Sequence, residues 1–127
     1  MKWMARAHVM NGNADKAWKI YMDMDTSNDA ILLLKQIAND CYRKGLFFYS
    51  LKCFDILMRL DSDLDNQYMR GKIGAAVGVF QMMIVRKASR DEFNEMMNMM
   101  ASMSGDPEVD QIIMVMTKWI RENDYEH

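Results

Sequence analysis

Apolar residues recur every three to four positions along almost the whole chain, and no stretch alternates as a half-buried strand does. The pattern predicts seven helices joined by short turns. A first segment, Lys2 to Asn11, stops at Gly12, and Asn13 is placed to cap a second helix carrying Ala17, Ile20, Tyr21 and Met24. Thr26, Ser27 and Asn28 interrupt it, with Ser27 or Asn28 as the cap of a third helix. That helix aligns Ile31, Leu34, Ile37, Ala38 and Cys41 in one stripe. Gly45 turns the chain into a fourth helix with Phe47, Leu51, Phe54 and Met58 on one face. After the polar break at Asp61, Ser62, Asp63 and Asp65, a fifth helix runs from about Gln67 to Val85. Gly71, Gly74 and Gly78 each weaken it by roughly 1 kcal/mol relative to Ala.

The sixth helix has a capping box in Ser89 and Glu92 and a face of Phe93, Met96, Met97, Met100 and Met103. The seventh starts at Asp106 with Pro107 in the first helical position, where a missing N–H costs nothing. Val109, Ile112, Ile113, Met116, Trp119 and Ile120 form its apolar stripe.

The helices are not independent. Ala5, His8, Gly12, Ala17, Tyr21 and Met24 are echoed 33 residues later by Ala38, Cys41, Gly45, Ser50, Phe54 and Leu57. A period of this size signals stacked helical hairpins, each with an apolar face that its neighbour must cover. Small residues stand where two antiparallel helices approach, glycines where the chain turns, and Tyr21 and Phe54 supply bulk that wedges into the next hairpin. These are the demands of a tetratricopeptide repeat, although the period is 33 rather than 34 and neither copy has the closing proline. The expected fold is all-α, a tetratricopeptide-like solenoid of about seven antiparallel helices. It is read as one domain over 1–127: repeat one at 1–25, repeat two at 28–60, a degenerate third at 65–103 and a capping helix at 106–122.

Composition narrows the function. A chain of 127 residues, 50% hydrophobic and 27% charged, suffices for one domain with a real core. Its net charge of −2 gives no electrostatic reason to expect nucleic acid. The longest uncharged stretch, Ile73 to Val85, is too short to span a bilayer, so no membrane insertion is expected. No secretory signal is visible at the N-terminus. Cys41 and Cys53 fall at small apolar repeat positions and read as reduced, buried thiols in an intracellular protein.

Catalytic and metal chemistry find no foothold in the residue pattern, and no cofactor is expected. Asp61, Asp63 and Asp65 have the spacing that opens a calcium loop, but Asn66 replaces the required Gly and Lys72 the bidentate Glu. A solvated acidic turn is the better account. Gly71, Gly74 and Gly78 follow no strand and so form no dinucleotide loop; close helix packing across Gly74 and Gly78 explains them better. His8 occupies a repeat-core position without a thiol or acidic partner at useful spacing. Most of the 16 methionines share stripes with other apolar residues and read as core filling, with Met69 and Met99 as exceptions.

Several segments resemble the C-terminal region of the intraflagellar transport protein 56 family. They are Ile37-Ala-Asn-Asp-Cys-Tyr42, Phe48-Tyr-Ser50 leading to Phe54-Asp55 and Leu60-Asp61, and Gly71-Lys-Ile-Gly-Ala-Ala-Val-Gly-Val-Phe-Gln-Met82. Trp3-Met-Ala-Arg, Ala17-Trp18, Tyr21-Met22 and Lys118-Trp119-Ile-Arg-Glu-Asn123 are similar to the same region. The resemblance implies a non-enzymatic adaptor of the intraflagellar transport B particle, located in the cilium or flagellum and in the cytoplasm near the basal body. It implies other B-core subunits, such as intraflagellar transport protein 46, and motility-related ciliary cargo as partners. Family members are much longer, so the chain is expected to be a fragment, a truncated gene product or a short relative.

The leading expectation is therefore a scaffold whose concave face is lined by first helices. Asn39, Asp40, Arg43 and Lys44 are its polar candidates, and Trp119 either closes the last hairpin or meets a partner. The rivals are a small helical enzyme or enzyme accessory, a peptide receptor using the Met-bearing sixth helix, and a fragment without independent function.

Overall fold

The computed structural model describes residues 2–24, 28–61 and 66–123, with the side chains of all but 2, 3 and 28. Among these residues the elements are seven helices: α1 (Lys2–Met10), α2 (Ala14–Met22), α3 (Asn28–Arg43), α4 (Phe47–Leu60), α5 (Gln67–Ile84), α6 (Arg90–Ala101) and α7 (Pro107–Asn123). None of them is long and apolar enough to cross a membrane. The all-α helical-hairpin fold expected from the periodicity is the observed one. Contacts divide the chain within α5 into two compact units, Met1–Gly78 and Val79–His127.

The repeat has a structural counterpart in its turns. At the end of α1, Gly12 takes φ +79°. Its N–H donates to the Val9 carbonyl at 2.9 Å, and the Asn13 N–H donates to the His8 carbonyl at 2.7 Å. Thirty-three residues on, Gly45 takes φ +76°, with Gly45 N–H to Tyr42 O at 3.1 Å and Leu46 N–H to Cys41 O at 2.8 Å. This paired bonding satisfies the last carbonyls of each helix and needs a left-handed residue at its centre.

Asn13 does not cap α2 as expected: its side chain makes no capping bond, and its backbone sits at φ −104°, ψ 55°. Serving as the second residue of the preceding turn keeps it out of the extended conformation that aims a cap at the first helical amides. Leu46, equivalent in the second copy, has almost the same backbone and no polar side chain at all. Of the two expected caps, Ser27 lies outside the described residues, and Asn28 is already the first residue of α3 rather than the residue before it.

In the first unit α1 pairs with α2 and α3 with α4, while α1 and α2 also lie on α3. Ala5, Ala17, Ala38 and Ser50, the small residues of the repeat, are all at most 1% exposed. Ser50 Oγ donates to the Ala38 carbonyl at 2.9 Å, so two repeat positions are bonded directly across the hairpin. Leu33, Leu34, Ile37 and Leu57 complete the centre of this core.

The second unit has its own core in Val79, Phe93, Met96, Met100, Val109 and Met116. The Phe80 ring lies 6.0 Å from Phe93 and meets Trp119 edge-on at 5.6 Å. Ser89 caps α6 by accepting from the Glu92 N–H at 3.1 Å. Asp106 Oδ1 accepts from the Glu108 and Val109 amides at 3.0 and 3.2 Å, with Pro107 as the first helical residue as expected. The chain leaves α5 through Arg86, a non-glycine at φ +62°. Its bonds, to Met83 O at 2.9 Å and from Lys87 N–H to Met82 O at 2.7 Å, reproduce the turn that glycine makes at 12 and 45.

Candidate binding surface

Three glycines decide how α5 sits on the first unit. A Cβ at Gly71 would lie 2.6 Å from the Phe54 ring, one at Gly74 would lie 3.0 Å from the Tyr42 hydroxyl, and one at Gly78 would overlap the Phe47 ring. Spaced i, i+3, i+7, the glycines share one face of α5, and that face receives an aromatic row from α3 and α4. Phe54 thus supplies the wedge expected of it, and the glycines are there for close packing rather than for phosphate binding.

This seating leaves a pocket of about 380 Å³ on the first-helix side, between α3 and α5. Lys35, Asn39 and Tyr42 line it from α3, and Gln67, Tyr68 and Gly71 from α5, above Phe54 and Leu57 of α4. Lys35, Asn39 and Tyr42 fall at i, i+4, i+7, one face of α3.

The charges around the pocket are arranged in pairs. Lys35 Nζ lies 3.2 Å from Asp61 Oδ2, and the Tyr68 hydroxyl donates to the same oxygen at 2.5 Å. Hydrogen bonds with Tyr68 and then with Asp61 push the Lys35 ammonium above its ordinary pKa. Burial first, and the bond to Asp61 second, raise the Tyr68 phenol. Asp61 is therefore one corner of a bonded triad; Asp63 and Asp65, the rest of the acidic turn, lie outside the described residues.

Lys72, which sequence reasoning considered only as a failed calcium ligand, is 1% exposed and bonds Asp55 Oδ1 at 2.9 Å. The other Asp55 oxygen takes Arg59 at 3.0 Å. One signal was available: Lys72 is the one charge in the apolar Gly-rich stretch from Gly71 to Val85, which marks a buried and paired group. Its partner was not legible, because Asp55 competes with three other aspartates within ten residues. Sequence reasoning also missed a cluster on the second-helix side. There the Lys52 ammonium lies 4.6, 5.4 and 5.2 Å from the Trp18, Phe48 and Tyr49 rings.

The expected contact residues separate in the structure. Asn39, Arg43 and Lys44 are exposed on α3 and in the turn after it. Asp40 is buried and faces Arg6 of α1, Nε to Oδ2 3.6 Å, so it ties α1 to α3. Trp119 belongs to the second unit, half-buried against Phe80. Met96 and Met100 of α6 are fully buried, which withdraws them from the surface that a peptide receptor on this helix requires.

Both cysteines are free and buried. Burial, with the Asp40 charge second, pushes the Cys41 thiol up to about 12, and burial raises Cys53 well above its ordinary value. Burial that disfavours the thiolate suits the packing positions these residues occupy in the repeat.

What these features define is a helical-hairpin repeat protein, whose stacked hairpins expose side-chain rows on their first helices. The sequence matches the family model described as Intraflagellar transport protein 56 over residues 1–127. It is also similar to the Intraflagellar transport protein 56 homolog of Caenorhabditis elegans, 33% identical over 84 residues. That alignment covers 66% of this chain and 14% of the relative's length. The chain belongs to the intraflagellar transport protein 56 family.

Proposed function

We propose that the chain is a non-enzymatic scaffold or adaptor module of the intraflagellar transport B particle. In this reading it works in the cilium or flagellum and around the basal body, supporting transport of motility-related cargo through protein–protein contacts. Other B-core subunits, such as intraflagellar transport protein 46, are the partners. The observation that carries the proposal is the family match across all 127 residues. The first-helix side of unit Met1–Gly78 supports it as the contact face, since Asn39, Arg43 and Lys44 are exposed beside a formed pocket.

The test is retention of purified B-core subunits, intraflagellar transport protein 46 among them, by the immobilised 127-residue chain. At least one subunit is expected to be retained. Retention of none, by protein whose helical circular dichroism is intact, contradicts the proposal.

A further inference from the structure

The pocket between α3 and α5 has a chemistry that narrows what it accepts. Its floor, Phe54 and Leu57, is apolar, and Tyr42 and Tyr68 bring an aromatic ring from each side. Gly71 lines the wall from α5, its missing side chain giving room to the Phe54 ring. At about 380 Å³ it stands at the small end of ligand-sized pockets, roughly 300–1,000 Å³. That suits one large side chain better than an extended metabolite.

Polar groups stand where a peptide backbone needs them. Asn39 on α3 and Gln67 on α5 both line the pocket, and each carboxamide offers both donors and an acceptor. The electrostatics then set the sign of the partner. Among the described residues, Asp61 is engaged by the lining residues Lys35 and Tyr68, and Asp40 is turned to Arg6 of α1. The exposed charges that follow Asn39 are both cationic: Arg43, one turn on at the end of α3, and Lys44 in the turn after it. A basic segment would meet repulsion there and an acidic one attraction.

We propose that this pocket is an anchor site for an acidic segment of a partner protein that inserts one aromatic side chain. The aromatic ring lies on Phe54 and Leu57 between the two tyrosines, the backbone is held by Asn39 and Gln67, and flanking carboxylates meet Arg43 and Lys44. The inference rests on the scaffold reading and specifies the chemistry of one of its contacts.

Three labelled pentapeptides test it by fluorescence anisotropy on the full 127-residue chain. One has a central phenylalanine flanked by glutamate and aspartate, the second replaces the phenylalanine with alanine, and the third replaces the acids with lysine. The acidic phenylalanine peptide is expected to bind about tenfold more tightly than either of the others, a difference of about 1.4 kcal/mol. It should lose that advantage in the double variant Arg43→Glu, Lys44→Glu, whose exposed positions leave the fold unchanged by circular dichroism. Its amide shift changes should centre on Asn39, Tyr42, Gln67 and Gly71. Equal binding of the three peptides, no binding, or shifts centred elsewhere would overturn the anchor. A chain that retains B-core subunits but ignores the acidic peptide refutes the anchor alone; one that binds the peptide but retains no subunit refutes the scaffold role alone.

Discussion

Replacing each α5 glycine by alanine separates helix propensity from close packing. Propensity by itself predicts that Gly71→Ala, Gly74→Ala and Gly78→Ala each stabilise the protein by about 1 kcal/mol. The contacts predict three different outcomes. At Gly74 the obstacle is the hydroxyl end of Tyr42, an exposed side chain that can swing aside, so most of the gain should survive. At Gly71 the methyl meets the far end of the Phe54 ring at 2.6 Å, and that ring is only 8% exposed. Overpacking of this kind costs roughly 1–3 kcal/mol, leaving a net loss of about 1 kcal/mol. At Gly78 the methyl meets the base of the Phe47 ring, which cannot turn away without moving the α4 backbone. Phe47 is also edge-on to Tyr42 at 5.5 Å, so the displacement spreads. A net loss of about 2 kcal/mol is expected there. Urea denaturation of the three variants reads the differences directly, with Gly74→Ala the most stable and Gly78→Ala the least. Three equal stabilisations would show that α5 does not rest on the Phe54, Tyr42 and Phe47 row.

The buried pair makes an asymmetric prediction. Asp55→Asn removes the carboxylate bonded to the 1%-exposed Lys72 and should cost about 3 kcal/mol, whereas Lys72→Met fills the site with an apolar chain, leaves Arg59 on Asp55, and should cost under about 1 kcal/mol; denaturation midpoints decide the order. Arg86→Gly should stabilise by about 1 kcal/mol, since φ +62° disfavours a side chain, and a raised melting temperature checks it. The raised thiols of Cys41 and Cys53 bind protons in the folded state that the unfolded state has lost above pH 9, so stability is full below that pH and falls as pH rises toward 12. Each thiol adds a loss of up to about 1.4 kcal/mol per pH unit, and the elevated Lys35 and Tyr68 act in the same direction above about pH 10. Urea denaturation between pH 8 and 11, with Cys53→Ala as the flatter control, measures the slope.

What was legible in the sequence follows from where local chemistry suffices. Gly12 and Gly45 mark turns because left-handed backbone is a local demand, and Ser89 and Pro107 mark helix starts for the same reason. The turn at Arg86 was invisible, because the surrounding helices impose a conformation that arginine does not advertise. Asn13 misled in the opposite sense: its residue type suits a cap, but the preceding turn had already fixed its backbone. The pocket is a tertiary product. Asn39 was singled out as a polar position on a first helix, yet Lys35, Tyr42, Gln67 and Tyr68 join it only once the glycine face of α5 settles onto the aromatic row. The same holds for Asp40, which reads like its neighbours Asn39 and Arg43 but is buried against Arg6 by the packing of α1 on α3.

The scaffold reading and its contact face meet in one measurement, photo-cross-linking of the chain within reconstituted B-core particles. A benzoylphenylalanine replacing Asn39 at the pocket mouth should cross-link to another subunit, while one replacing Val115, exposed on α7 in the other unit, serves as the comparison. The account predicts an adduct from position 39 that is lost with Arg43→Glu, Lys44→Glu. Adducts from position 115 alone would contradict the contact face, and adducts from neither position would contradict the scaffold itself.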